Sequence, residues 1–181
     1  MSENHSTAAA ARFVRDAAAV VRPGHLGGIR DAGDAWVEGP AGKFWGKFGS
    51  AGLLVFDAGR GVLLQHRAIW SHHGGTWGLP GGALHSGEAA VDGALREAWE
   101  EAGVPRANVE LLFTSAWDIG YWSYTTVAVA AVVPFEAVIS DPESLALDWF
   151  TPEDVAKLSL HPGFAAAWPA LRQRLEGAGG G

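Results

Sequence analysis

From Gly49 onward, apolar residues fall into short blocks separated by turns rich in glycine, proline and aspartate, and the blocks predict strands and helices in alternation. Ala51 to Phe56 reads as an apolar strand, Asp57-Ala58-Gly59-Arg60-Gly61 as a turn, and Val62 to Arg67 as the returning strand. A loop over residues 68–75 leads to a short strand, Thr76 to Leu79, which runs into the turn Pro80-Gly81-Gly82. A helix is predicted over about 88–102. Ala89, Ala90, Ala94, Leu95, Ala98 and Ala102 favour or pack it, Ser86 or Gly87 can cap its start, and Gly103 ends it. Val109 to Trp117 and Thr125 to Val133 follow as two long apolar strands joined through residues 118–123, and Leu145 to Phe150 is another. Thr151-Pro152-Glu153-Asp154 has the cap-plus-proline form of a helix start, and Pro162 to Leu175 makes a C-terminal helix. The expected architecture is a mixed β-sheet between helices, in the α/β class.

The first 47 residues lack that order. Residues 1–11 read as a loose tail, and Arg12 to Arg22 as a short amphipathic helix ended by Pro23-Gly24. Gly24 to Lys47 is glycine-rich and irregular, with Trp36, Phe44 and Trp45 expected to anchor it on the domain surface. The organisation expected is a tail and extension over 1–47, one domain over 48–176, and a flexible glycine-rich end over 177–181.

Composition narrows the class. At 181 residues with 48% hydrophobic content, the chain is long enough for one well-packed domain with an elaboration. The net charge of -7 argues against general affinity for nucleic acid or an anionic membrane. There is no cysteine, which excludes disulfides, a thiolate zinc site and a cysteine nucleophile. No apolar run approaches a membrane span, and Glu3, Arg12, Arg15 and Asp16 break up the N-terminal stretch, unlike a secretory signal. A cytoplasmic location is the expectation.

Candidate chemistry concentrates in residues 82–104, around Gly82, Glu88, Arg96-Glu97, Glu100-Glu101, Gly103 and Val104. On a helix, Glu97 neighbours both Glu100 and Glu101, and each like-charge pair costs roughly 0.2–0.5 kcal/mol. A divalent cation turns that repulsion into attraction, and an oxygen-only, carboxylate-rich set suits magnesium or manganese. Arg96, four residues before Glu100, can brace the cluster. A solvated acidic face would account for a pair of glutamates, but not for the Leu79-Pro80-Gly81-Gly82 turn, the terminal Gly103 and the single arginine.

The whole pattern resembles the Nudix box, the signature of the Nudix hydrolases, with every fixed position filled and Ala98 smaller than the aliphatic residue often found there. The resemblance implies an α/β/α sandwich and attack of water on a diphosphate, assisted by Mg2+ or Mn2+. It implies that Glu97 and Glu101 are direct metal ligands, that Glu100 ligates directly or through water, and that the Gly81 carbonyl joins them. Glu88 and Arg96 would orient the set. A further carboxylate from outside the box is common in the family. Glu136 and Glu143 are candidates, beside the reading that both are exposed loop residues. His72, His73 and His85 are alternative bases near neutral pH. No histidine metal site is expected, because nothing else here has zinc-ligand spacing.

On the substrate side, Gly81 and Gly82 allow close approach, and Arg67, His72 and His73 lie on or beside the preceding loop, where plain surface is an equal reading. Trp70, Trp77, Trp117, Tyr121, Trp122 and Tyr124 fall on loops and strand ends. Core packing is favoured for Trp77 and Trp117, and stacking on a nucleobase for Tyr121 and Trp122. Within the resemblance, the absence of proline between Pro105 and Pro134 speaks against ADP-ribose-type members, while Tyr121 matches a mark of dinucleoside-polyphosphate members. The compact domain is similar to MutT-type pyrophosphohydrolases of nucleoside triphosphates, including enzymes that remove oxidised nucleotides such as 8-oxo-dGTP. A Nudix-fold sensor that binds without hydrolysis ranks lower, because the box keeps all its carboxylates. The implied partners are a small nucleotide and a second copy in a homodimer, with neither nucleic acid nor membrane.

Overall fold

The computed structural model describes residues 32–178. Nine strands are present: β1 (Trp36–Gly39), β2 (Gly42–Trp45), β3 (Ser50–Asp57), β4 (Gly61–Arg67), β5 (Trp77–Gly78), β6 (Gly81–Ala83), β7 (Val109–Asp118), β8 (Ser123–Ala131) and β9 (Ser144–Phe150). The helices are α1 (Ala90–Ala102), the single turn α2 (Pro152–Val155) and α3 (Pro162–Ala178). Among the described residues no helix is long and apolar enough to cross a membrane.

The main sheet runs β5-β4-β3-β8-β7, with β6 also on β3 and β9 also on β4. It is mixed. β3 and β8 are parallel, from Ser50↔Tyr124 to Phe56↔Ala130, and the other pairs are antiparallel. Side chains alternate between the two faces and both faces are covered, so the central strands carry unbroken apolar runs such as Leu53-Leu54-Val55 and Val127-Ala128-Val129. Ala51, Leu53, Val55, Leu63, Val127 and Val129 pack with Ala94, Leu95, Ala98 and Ala102 of α1 on one face. Leu54, Val62, Leu64 and Ala128 pack with Phe164, Trp168, Leu171 and Leu175 of α3 on the other. Helices therefore cover both faces of the sheet, as the resemblance implied.

Several local expectations change. The stretch read as irregular contains an antiparallel hairpin, Trp36↔Trp45 to Gly39↔Gly42, where the cross-strand pair Trp36–Trp45 adds a contact that local periodicity does not show. The Gly81-Gly82 turn is a strand, with Gly81 opposite Gly52, and a side chain at Gly81 would collide with the Ala51 carbonyl. β8 lies two residues earlier than expected. Ala89 occupies the start of α1 without a side-chain cap bond, so neither Ser86 nor Gly87 caps it. Gly177 belongs to α3 rather than to a loose end. The helix expected over 12–22 lies outside the described residues.

Candidate active site

Arg96 is the hub of the acidic segment. Its Nε and Nη2 donate to the two Glu88 oxygens, each at 2.9 Å, its Nη1 to Glu97 Oε1 at 2.7 Å, and its Nη2 also to the Ala83 carbonyl at 3.1 Å. Glu100 Oε2 is 3.7 Å from the same guanidinium and half exposed. Glu88 stands before the helix, not in its first turn. Its carboxylate also accepts the His85 N–H at 3.0 Å and bridges the turn to Arg96. The Arg96 hydrogen bonds, opposed by burial and assisted by the His85 N–H, lower the Glu88 pKa to about 2. Glu88 and Glu97 in turn raise that of Arg96.

A carboxyl held at about 2 against an ordinary 4.5 stabilises the fold fully above pH 4.5 and loses that contribution as pH falls towards 2. Glu88→Gln removes a doubly charge-assisted contact. It should cost about 1–3 kcal/mol at neutral pH and flatten the fall in thermal midpoint between pH 4.5 and 2. An unchanged midpoint profile would show that this bridge does not hold the turn.

Two of the box carboxylates, Glu97 and Glu101, flank the glycine strand. Glu101 is buried at 7% exposure, and its Oε2 accepts the Gly81 N–H at 2.9 Å. Glu97 lies under Gly82, where an added Cβ would stand 2.6 Å from its carboxyl carbon. Two consecutive glycines thus bring bare backbone against two carboxylates from successive turns of α1. Gly103 closes the helix in the left-handed conformation, as expected (φ 64°).

A cavity of about 460 Å³ opens beside Gly81 and Gly82. Trp36, Phe44, Trp45, Trp117 and Trp122 give it aromatic walls, and Lys43, Arg67, His72, His73 and His161 give it a basic, imidazole-rich side. The β1–β2 hairpin is part of this wall. Phe44 stacks on Trp122 (4.5 Å between rings, 19°), and Trp36 meets both Trp45 and His72 edge-on. Trp122 is a buried cavity wall whose indole donates to the Trp45 carbonyl at 3.0 Å. Tyr121, expected to stack on a base, is not on the cavity. Its hydroxyl donates to the Gly42 carbonyl at 3.0 Å, and its ring lies against Gly39 under the hairpin. Trp117 packs edge-on against Phe44 and also lines the cavity.

Arg67 Nε donates to the His72 carbonyl at 3.0 Å, which ties the cavity loop to the end of β4. Neither Glu136 nor Glu143 lines the cavity. Glu136 is exposed, whereas Glu143 is buried in the turn before β9 and its carbonyl accepts the Ala68 N–H at 2.7 Å. His85 contributes its backbone to Glu88.

Sequence reasoning missed two positions, Lys43 and His161, and placed Tyr124 only among several rings at loops and strand ends. Lys43 arrives with the hairpin, whose only sequence signal is the Gly39-Pro40-Ala41-Gly42 turn between aromatic residues. Tyr124 crowds Gly52 with its hydroxyl. Burial, with the Glu101 charge adding and Arg67 opposing, raises its pKa. His161, just before α3, joins His72 and His73 in a cluster whose ligand nitrogens all lie within 4.8 Å of one another. The partner comes from a distant element, so spacing along the chain carries no trace of it.

A family model of the NUDIX domain matches residues 46–172. The chain belongs to the Nudix family. A relative from Mycobacterium tuberculosis, described as a putative 8-oxo-dGTP diphosphatase 3, is 44% identical over 161 residues, covering 83% of this chain and 74% of that protein. A fusion of a nucleoside triphosphate pyrophosphatase with a Nudix hydrolase from Bifidobacterium longum is 39% identical over 82% of this chain and 33% of its own length. The crystal structure of the Nudix hydrolase RenU from M. smegmatis superposes with a TM-score of 0.72 at 45% identity, covering 80% of this chain and 96% of that one. The protein is accordingly a Nudix hydrolase, and residues 82–104 are its Nudix box. The β1–β2 hairpin lies just ahead of the stretch that the Nudix model matches, yet it walls the cavity beside the box.

Proposed function

We propose that this Nudix hydrolase cleaves the pyrophosphate linkage of nucleoside triphosphates, with oxidised purine nucleotides such as 8-oxo-dGTP as the foremost substrates. The observation that carries this reading is the aromatic cavity beside Gly81-Gly82, which sets a surface suited to a flat base next to a carboxylate pair suited to a cation. The description of the M. tuberculosis relative supports the substrate class. A dinucleoside-polyphosphate reading rested on Tyr121, whose hydroxyl is engaged by Gly42 away from the cavity.

Magnesium or manganese fits the residues present. The donors are carboxylate and carbonyl oxygens, and Gly82 leaves the space that Glu97 fills. Glu97, Glu100, Glu101 and the Gly81 carbonyl would hold it. There it would neutralise phosphate charge and make bound water a stronger nucleophile. The chain's own residues supply the positioning. Arg96 fixes Glu88 and Glu97, the Gly81 N–H orients Glu101, and the aromatic walls exclude water around the base. Lys43 and Arg67 give the cavity positive charge towards an anionic substrate.

The test is a hydrolysis panel with magnesium covering canonical and 8-oxo nucleoside triphosphates, dinucleoside polyphosphates, ADP-ribose and nucleotide sugars. Highest kcat/KM on a nucleoside triphosphate, with nucleoside monophosphate and pyrophosphate as products, is the expected result. Preference for ADP-ribose or a nucleotide sugar would overturn it. In the same panel, Trp36→Ala should raise KM about 10-fold or more with a smaller change in kcat, because a base-stacking wall is worth roughly 1–3 kcal/mol.

A further inference from the structure

We infer that His72, His73 and His161 form a second metal site, distinct from the box carboxylates, that takes a zinc-class transition ion in the wall of the cavity. Their ligand nitrogens lie within 4.8 Å of one another, and the rings pack as a chain. His72 and His73 are 4.0 Å apart between centroids, and His73 and His161 are 4.7 Å apart. A tetrahedral ion with metal–nitrogen bonds of about 2.0–2.1 Å spaces its ligands roughly 3.4 Å apart, so side-chain adjustments of about an ångström bring the three into range. All three residues line the cavity, which leaves a fourth position for water or a substrate atom on that side.

The surroundings favour nitrogen ligation. Three imidazole nitrogens gathered on one cavity wall are a donor set that suits a zinc-class ion. His73 has φ 55°, the only positive φ outside glycine among the described residues, and Gly74 beside it has no room for a side chain against Ala68 and Ile69. Backbone strain of this kind costs on the order of 1–3 kcal/mol and persists where the surrounding structure imposes it. Thr76 Oγ1, donating to the His73 carbonyl at 2.6 Å, and Arg67, donating to the His72 carbonyl, hold the loop in place.

Two features oppose an ion. The Gly163 N–H rests on His161 Nδ1 at 3.2 Å and must yield when that ring ligates, and the Arg67 charge repels any cation. Both count more heavily against a weakly held hard ion such as magnesium than against one bound through three nitrogens. The carboxylates of the box, by contrast, are an oxygen set. The two sites therefore select different metals.

The experiment titrates zinc into the full-length protein in excess magnesium, against a chelating dye, and records zinc-edge X-ray absorption on the same sample. One zinc per chain with three imidazole nitrogens at about 2.0–2.1 Å is expected. His72→Asn and His161→Asn should each weaken zinc binding by more than the roughly 10- to 100-fold that a residue merely supporting a ligand contributes. Glu97→Gln and Glu101→Gln should leave it within a few-fold. Absence of stoichiometric binding, a spectrum of oxygen ligands alone, or zinc loss in the glutamate variants but not the histidine variants would overturn the site. If a histidine variant fails to fold, the spectrum of the unaltered protein decides. Magnesium-dependent release of nucleoside monophosphate, followed separately, tests the proposed hydrolysis and is independent of this outcome.

Discussion

Replacing Glu101 with glutamine is expected to lower kcat by about 10²- to 10⁴-fold, from the several kcal/mol that a metal-assisted step loses with a direct ligand. The fold should survive. The amide oxygen of glutamine can still accept the Gly81 N–H that Glu101 now accepts at 2.9 Å, and the residue volume hardly changes. The variant separates chemistry from architecture: kcat in one assay, thermal midpoint and manganese affinity in two others. Weakened manganese binding with an intact midpoint is the expected pattern. Wild-type turnover in this variant would exclude the carboxylate as a ligand, and a collapsed midpoint would make it a structural residue.

The second large effect comes from a single methyl group. In Gly82→Ala the new Cβ would stand 2.6 Å from the Glu97 carboxyl carbon, far inside contact distance. Either the carboxylate swings away and loses the 2.7 Å bond from Arg96, or β6 shifts off β3. Both movements separate Glu97 from the backbone at Gly82. A misplacement of about an ångström near reacting groups costs on the order of 100-fold in rate, and that is the expected fall in kcat/KM. Gly59→Ala is the control, since its nearest neighbour to an added Cβ is an Asp57 oxygen at 3.5 Å. Equal activity in both alanine variants would show that the closeness of Gly82 to Glu97 is incidental.

These two effects trace to the part of the protein that was legible without coordinates. Glutamates at 97, 100 and 101 share a helix face because of the helical repeat alone, and the αL stop at Gly103 is a property of glycine. The central strands were legible for a related reason. A run such as Leu53-Leu54-Val55 is apolar on both faces only when both faces are covered, which places helices on either side of the sheet.

Where the reading failed, the deciding interaction was not local. Glu88 looked like a first-turn residue, but Arg96, two turns along, and the His85 backbone hold it ahead of the helix. Gly81-Gly82 carried the composition of a turn. The same lack of side chains lets that segment lie flat against Ala51 and Gly52 as a strand. Tyr121 had the position of a substrate residue and was taken up by the hairpin.

By itself the sequence determined the alternation of strands and helices, the acidic face of α1 and the family to which these belong, because each is written in spacings of one to four residues. Only the tertiary structure decided that the β1–β2 hairpin walls the cavity, that Glu97 and Glu101 clasp one glycine pair, and that His161 meets His72 and His73. Those contacts join segments far apart in the chain. Their energy lies in cross-strand aromatic packing and burial, which leave no periodic mark on the residues that make them.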